Sequence, residues 1–335
     1  MSTSKGLKKS IVSPDKIMEL ALSFQRSRVF LTGYELGLFS ALGDGERSSE
    51  EVAKAVGAEA RATDRLLNAL CAMGFLGKRE GQFSNTPLAS RFLIKGKPEY
   101  IDGLMHIVHL WDTWDTLTKA VRQGKSVFAE HVNERGEKWL HAFIAAMNDR
   151  ARRNASTVIA LLDLSDVSRV LDVGGGSGAY SMAFVRVREG IRATVFDLPS
   201  VIPLTRKYID QERLSDKVET IVGDYNKDNL GSNFDMVFLS AIIHSNSYDQ
   251  NQVLIHKAYK ALNPGGHVVI QDFIMDEDRT SPASGALFSL NMLVGTEAGD
   301  TYTEFEVRTW MEEARLSKIR RRDTGIGTTL IIGEK

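Results

Sequence analysis

Apolar positions along this chain follow two periods. Up to about residue 160 they recur every three or four residues, the spacing of helices with one buried face. From Arg169 onward short apolar runs alternate with helical stretches, which predicts a parallel sheet covered by helices on both faces. In the first part, Ser13-Pro14-Asp15 reads as a helix start running to about Phe24, and a second helix is expected over 29–42. Ser48-Ser-Glu-Glu51 has the form of a capping box opening a third helix, 50–56. A fourth is expected over 61–73, stopping at Gly74, followed by a small hairpin over 75–83. Helix-helix-helix-hairpin is the winged-helix order. Residues 101–160 read as further helices rich in aromatic side chains.

The strands read from the second part are 170–173, 193–196, 218–222, 236–239, 266–274, 319–322 and 328–332. The last lies too close to its predecessor for a helical crossover, so it should pair antiparallel to it. The fold class is therefore α/β: a Rossmann-like domain of seven strands with an antiparallel last strand, preceded by a mainly helical winged-helix domain. The expected boundaries are 1–100, a helical linker 101–160, and 161–335.

The run Val170-Leu-Asp-Val-Gly-Gly-Gly-Ser-Gly-Ala-Tyr180 is where this pattern acquires chemistry. A strand carrying Asp172 near its end opens into a loop whose Gly174, Gly175 and Gly176 let backbone approach a ligand closely. The helix after it, expected from about 177 to 188, turns its positive end toward the ligand. By itself the loop also satisfies the dinucleotide pattern. Three further signals follow in order. Asp197-Leu198 closes the second strand, where a carboxylate can accept ribose hydroxyls. Gly223-Asp224-Tyr225 follows the third, placed to hold an adenine. Ser240 and His244 end the fourth, at the sheet edge where such folds bind ligands. Order and terminal hairpin resemble those of methyltransferases that use S-adenosylmethionine rather than those of nicotinamide enzymes.

Composition sets the limits. At 335 residues, with 43% hydrophobic and 25% charged residues and a net charge of −1, the chain has no global field for nucleic acid or a membrane surface. Residues 1–100 carry 15 Lys and Arg against 11 Asp and Glu, and the helix 61–73 that would enter a groove is mostly Leu, Ala, Cys and Met. No DNA reading is expected of it. The single Cys71 excludes an intrachain disulfide. No apolar stretch approaches a membrane span and the N-terminus lacks a signal-peptide core, so a cytoplasmic location is expected. Residues 14–42 and 100–120 are apolar enough to predict a homodimer. His106 and His109, one turn apart, suit metal ligands or acceptor contacts, yet no Cys or carboxylate cluster accompanies them, so no metal is expected. His256 and His267 read as structural.

These features together resemble the two-domain small-molecule O-methyltransferases, of which caffeate-type enzymes, acetylserotonin methyltransferase and bacterial natural-product enzymes are examples. The resemblance spans nearly the whole chain and includes Phe143-x-x-Ala-Met147 and Asn291-Met-Leu-Val-x-Thr-Glu297. It implies S-adenosylmethionine as cofactor and a hydroxylated aromatic or polyketide-like acceptor. It further implies dimerisation through the N-terminal domain, with Asp197 on the ribose and Asp224 and Tyr225 on the adenosine. His244 would be the general base, supported by Asp272, and Trp111, Phe143, Met147, Asn291 and Met292 would lie near the acceptor. The chain departs from the family pattern at His244-Ser-Asn-Ser247, where an acidic and aromatic pair often follows the histidine, and at Thr301, where a second acid is often found. Carbon methylation of an aromatic or tetrapyrrole ring, and a winged-helix regulator using the cofactor domain as a sensor, are the alternatives.

Overall fold

The computed structural model describes residues 14–127 and 135–335, which divide into two compact units at Leu104/Met105. The Ser13 cap lies outside the described residues. In the first unit, one helix runs unbroken over Pro14–Glu35 where two were expected. Gln25-Arg26-Ser27-Arg28 contains no glycine or proline to interrupt it. The chain turns instead at Gly37, whose φ of 73° suits a residue without a Cβ. Leu38–Leu42, Ser49–Val56 and Ala60–Ala72 follow. The capping box forms: the Ser48 hydroxyl accepts from the Glu51 N–H, and the Glu51 carboxylate accepts from the Ser48 N–H. Strands Leu76–Arg79 and Gln82–Asn85 pair through a turn in which Glu80 and Gly81 both have positive φ, the hairpin geometry matched to strand twist. Phe39, Leu67, Leu70 and Phe83 are fully enclosed between these elements. The apolar face of Ala60–Ala72 is thus spent on the unit's own core.

The second unit opens with helices Leu104–Trp114, Leu117–Gln123 and Glu137–Ile159. Its sheet consists of β1 (Arg169–Val173), β2 (Arg192–Asp197), β3 (Val218–Val222), β4 (Phe234–Ser240), β5 (Leu262–Asp272), β6 (Ser317–Asp323) and β7 (Thr329–Glu334). Their order is β6-β7-β5-β4-β1-β2-β3. β7 is antiparallel to β6, as the short connection requires, and also to β5, between which strands it inserts. One helix layer packs Leu254, Ile255, Trp310 and Met311 on one face, and the other packs Val158, Phe184 and Val185 against Phe238.

Two differences from the sequence reading bear on the site. The helix after the glycine loop starts at Ala179. β5 stops at Asp272, and Ile274–Met275 leaves the main ladder to pair in parallel with Tyr302–Thr303. Asp272 therefore stands at the carboxyl end of β5 rather than inside a longer strand. The ends of β1, β2, β4 and β5 together bring the glycine loop, Asp197, Ser240 and Asp272 to one edge, as open α/β sheets do with their ligand-binding residues.

Candidate active site

At that edge is a cavity of about 310 Å³, within the roughly 300–1,000 Å³ range of small-molecule sites. Asp172, Gly174, Gly175, Gly176, Asp197, Leu198, Tyr225 and Ser240 line it, as do His244 and Asp272. Phe143, Met147, Asn291 and Met292 line it as well.

The cofactor side is built from backbone. A Cβ on Gly174 would come closer to Ile242 than the 3.0 Å that real Cβ contacts keep, and Gly174 and Gly176 have φ of 64° and 57°. Only glycine gives this slot. Asp197 turns one carboxylate oxygen to the Gly176 N–H at 2.8 Å and the other to the Leu198 N–H at 2.7 Å. Each oxygen keeps a lone pair, so the carboxylate can accept two vicinal hydroxyls. Burial pushes the Asp197 pKa up to about 6. Burial, with the Asp197 charge beside it, pushes Asp172 up to about 7, although the Ser181 hydroxyl donates to it at 2.8 Å. Two enclosed carboxylates and a close-approach loop fit a cationic nucleoside such as S-adenosylmethionine.

Two residues named for the cofactor lie elsewhere. Asp224 is outside the cavity lining, because its carboxylate closes its own turn onto the Asn226 N–H and pairs with Lys227 at 3.1 Å. Gly223 is likewise outside the lining, and the Phe196 ring lies where a Cβ would go. Tyr225 reaches the cavity through its ring, while its hydroxyl donates to Asn246 at 3.2 Å.

His244 sits in the short 3₁₀ turn Ile243–Ser245, 8% exposed. Its Nδ1 is 2.8 Å and 3.0 Å from the two oxygens of Asp272, which is 2% exposed. The Asp272 carboxylate also accepts from the Phe273 N–H at 2.8 Å. A carboxylate on Nδ1 selects the tautomer protonated there and leaves Nε2 with its lone pair. The Phe288 ring packs edge-on against the imidazole at 4.8 Å. Thr301, expected to stand where a second acid is often found, is buried away from the cavity with its carbonyl accepting from Arg279.

The sequence gives no sign of the network that holds the turn. Asn251 donates to the Ile243 carbonyl at 2.8 Å, Asn246 donates to Asn251 at 3.0 Å, and the Tyr302 hydroxyl donates to the Asn246 carbonyl. Gly299 packs so closely under the His244 carbonyl that a Cβ would overlap backbone. Gly299→Ala should therefore shift the imidazole. We expect kcat to fall by roughly 10²-fold, the cost of a displacement near 1 Å, with affinity for S-adenosylhomocysteine unchanged by calorimetry.

Elsewhere in the lining Phe143 stacks on Trp139 at 5.1 Å. Trp111 does not line the cavity. It is five residues, or about 140° of helix, from His106, which does. Trp114 does not line the cavity either, but donates its indole N–H to the side chain of Asn291, which does, at 2.9 Å. Arg150 also lines the cavity with its guanidinium 5.2 Å from the Phe273 ring, and among the described residues no carboxylate is within ion-pair distance of it. An arginine three residues after Met147 at helical spacing was the available sign of it.

This sheet order, with the glycine loop and the Asp197 tip, defines the class of S-adenosylmethionine-dependent methyltransferases. The chain belongs within it to the O-methyltransferase family: residues 114–316 match the O-methyltransferase domain and residues 18–95 the O-methyltransferase dimerisation domain. S-adenosylmethionine is its cofactor. The chain is 33% identical to 3-hydroxy-5-methyl-1-naphthoate 3-O-methyltransferase of Streptomyces sahachiroi, over 92% of this chain and 90% of that one. It is 30% identical to the tetracenomycin polyketide synthesis 8-O-methyl transferase TcmO of Streptomyces glaucescens, over 96% and 97%. Human N-acetylserotonin methyltransferase in complex with S-adenosylmethionine superposes with a TM-score of 0.86 at 26% identity, covering 98% of this chain and 99% of that one. Among the described residues no helix is long and apolar enough to cross a membrane.

Proposed function

We propose that the chain methylates a phenolic hydroxyl on a flat aromatic or polyketide-like acceptor, with His244 as general base and Asp272 as the residue that orients it. The observation that supports this most directly is the His244 Nδ1–Asp272 contact at 2.8 Å and 3.0 Å. S-adenosylmethionine supplies an electrophilic sulfonium methyl when bound. Asp197, Asp172 and the Gly174–Gly176 backbone would hold it. Phe143, Met147, Met292 and the Phe273–Phe288 pair, tilted at 36° with centroids 4.6 Å apart, would hold the acceptor ring in a dry, aromatic slot. His244 Nε2 then takes the hydroxyl proton, and Asp272 stabilises the imidazolium that forms. The names of the Streptomyces relatives, a naphthoate and a tetracenomycin enzyme, agree with a fused-ring acceptor. Incubation with naphthols and ¹³C-methyl-labelled cofactor should yield a methoxy carbon by NMR. A methyl bonded to ring carbon would overturn the reading.

The first unit is proposed to form a homodimer. Ile17, Leu20 and Phe24 are 71%, 77% and 52% exposed on the helix Pro14–Glu35, and they make an apolar stretch unusual for a monomer surface. Light scattering at micromolar concentration should give twice the chain mass. The double variant Leu20→Glu/Phe24→Glu should give the monomer mass; an unchanged dimer would place the interface elsewhere.

A further inference from the structure

The cavity holds a second histidine that the proton transfer does not use. His106, on the helix Leu104–Trp114, lines the cavity and is 8% exposed. Its Nδ1 is buried, and no hydrogen-bond partner for it exists among the described residues. A buried polar atom left in this state is destabilising, so its retention asks for a partner that arrives with a ligand. The imidazole meets Phe143 edge-on at 5.3 Å and Trp139 at 6.0 Å. Burial, with His109 and Arg135 nearby, pushes its pKa down to about 4. The ring is therefore neutral at physiological pH, a hydrogen-bonding group rather than a charge.

The helix Glu137–Ile159 measures how far this group lies from the proposed chemistry. Phe143 touches His106, while Arg150, seven residues further on, lies over Phe273. Phe273 follows Asp272 and packs at a tilt on Phe288, which packs edge-on against His244. Seven residues of α-helix rise about 10 Å. The two histidines thus belong to aromatic clusters about two helical turns apart, each meeting a ring edge-on.

We propose that His106 is a specificity-determining residue: it hydrogen-bonds a second oxygen substituent of the acceptor, carried at the end of a fused-ring aromatic remote from the hydroxyl beside His244. This rests on the aromatic O-methylation reading of the same site. It selects acceptors oxygenated at both ends over acceptors with one hydroxyl, because the one-hydroxyl ligand leaves Nδ1 buried and unpaired.

The test uses 2,6-dihydroxynaphthalene and 2-naphthol, which differ only in the remote hydroxyl. Their binding to protein saturated with S-adenosylhomocysteine is measured by calorimetry for the wild type, His106→Phe and His106→Asn. The wild type should bind the diol about tenfold more tightly, the worth of one hydrogen bond. In His106→Phe, which keeps the ring contacts, the preference should fall below twofold. In His106→Asn, which restores an amide near Nδ1, it should partly return. The proposal is overturned if the wild type shows no preference, if neither naphthol binds it, or if the preference persists in His106→Phe. Should His106→Phe fail to fold, the wild-type preference and its reduction in His106→Asn decide the matter alone. O-methylated product together with an unchanged preference removes only the role of His106, whereas a carbon-methylated product removes the reading beneath it.

Discussion

Replacing His244 with alanine or glutamine is expected to lower kcat by roughly 10²–10⁴-fold, the usual cost of losing a general base, while cofactor affinity stays within about twofold. A phenol has a pKa of about 10 and is almost wholly protonated at neutral pH, so a base must take its proton as the methyl moves. The proposed base is built for that direction of transfer. Asp272 occupies Nδ1 with both oxygens, leaving Nε2 free to accept. Asp272→Asn should cost less than loss of the ring, because the amide oxygen can still accept from Nδ1–H and only the charge stabilising the imidazolium is lost. Thr301→Ala should cost little, since Thr301 lies outside the cavity. Stopped-assay kinetics with a turned-over naphthol measure all three. A His244 variant with near-full turnover would reject the general-base role and leave alignment of the reactants as the whole of catalysis.

The second large effect concerns the cofactor and pH. Asp197→Ala removes both proposed ribose acceptors and should weaken binding by about 1.5–3 kcal/mol, or roughly 10- to 150-fold. In the wild type, Asp172 at about 7 and Asp197 at about 6 lie well above an unfolded carboxyl. The folded protein therefore holds more protons than the unfolded chain between about pH 4 and 7. Two consequences of opposite sign follow. Without cofactor, stability falls as pH rises through that window, because burial disfavours the carboxylates as they ionise. Cofactor affinity rises over the same window, because a cationic ligand prefers them ionised, and it levels off above about pH 7.5. Between pH 5.5 and 8 the affinity for S-adenosylmethionine should increase by roughly tenfold to a hundredfold, with most of the slope lost in Asp172→Asn. Thermal unfolding of cofactor-free protein across pH measures the first effect and calorimetry the second. A flat affinity profile in the wild type would remove Asp172 and Asp197 as the titrating groups.

What was legible in the sequence is what depends on contiguous residues. The glycine loop and Asp197-Leu198 could be read because a strand, its tight turn and its terminal carboxylate lie within a few residues, and their backbone demands are met locally. The capping box at Ser48 could be read for the same reason. Spacing alone placed the last strand antiparallel, since the connection to it is too short to cross over. The break between the first two helices was misread because the signal sits at Gly37, after a stretch with no interruption.

Tertiary structure decided whatever depended on which face of an element points inward. Trp111 and Trp114 are equally apolar in sequence, and only the packing of their helix selects Trp114 to meet Asn291. Asp224 follows its strand as expected, yet its carboxylate closes its own turn and stays out of the cavity. The Phe288 ring against His244, the Tyr302 hydroxyl on Asn246 and the Phe143 ring against His106 join residues separated by tens of positions. No local pattern encodes such pairings, because they arise only when the sheet edge gathers the ends of β1, β2, β4 and β5 against the helices that precede them. The chain's own sequence thus determined the class of cofactor site through local backbone chemistry. The shape and polarity of the rest of the cavity came from long-range packing, where a one-residue shift on a helix turns a side chain about 100° away.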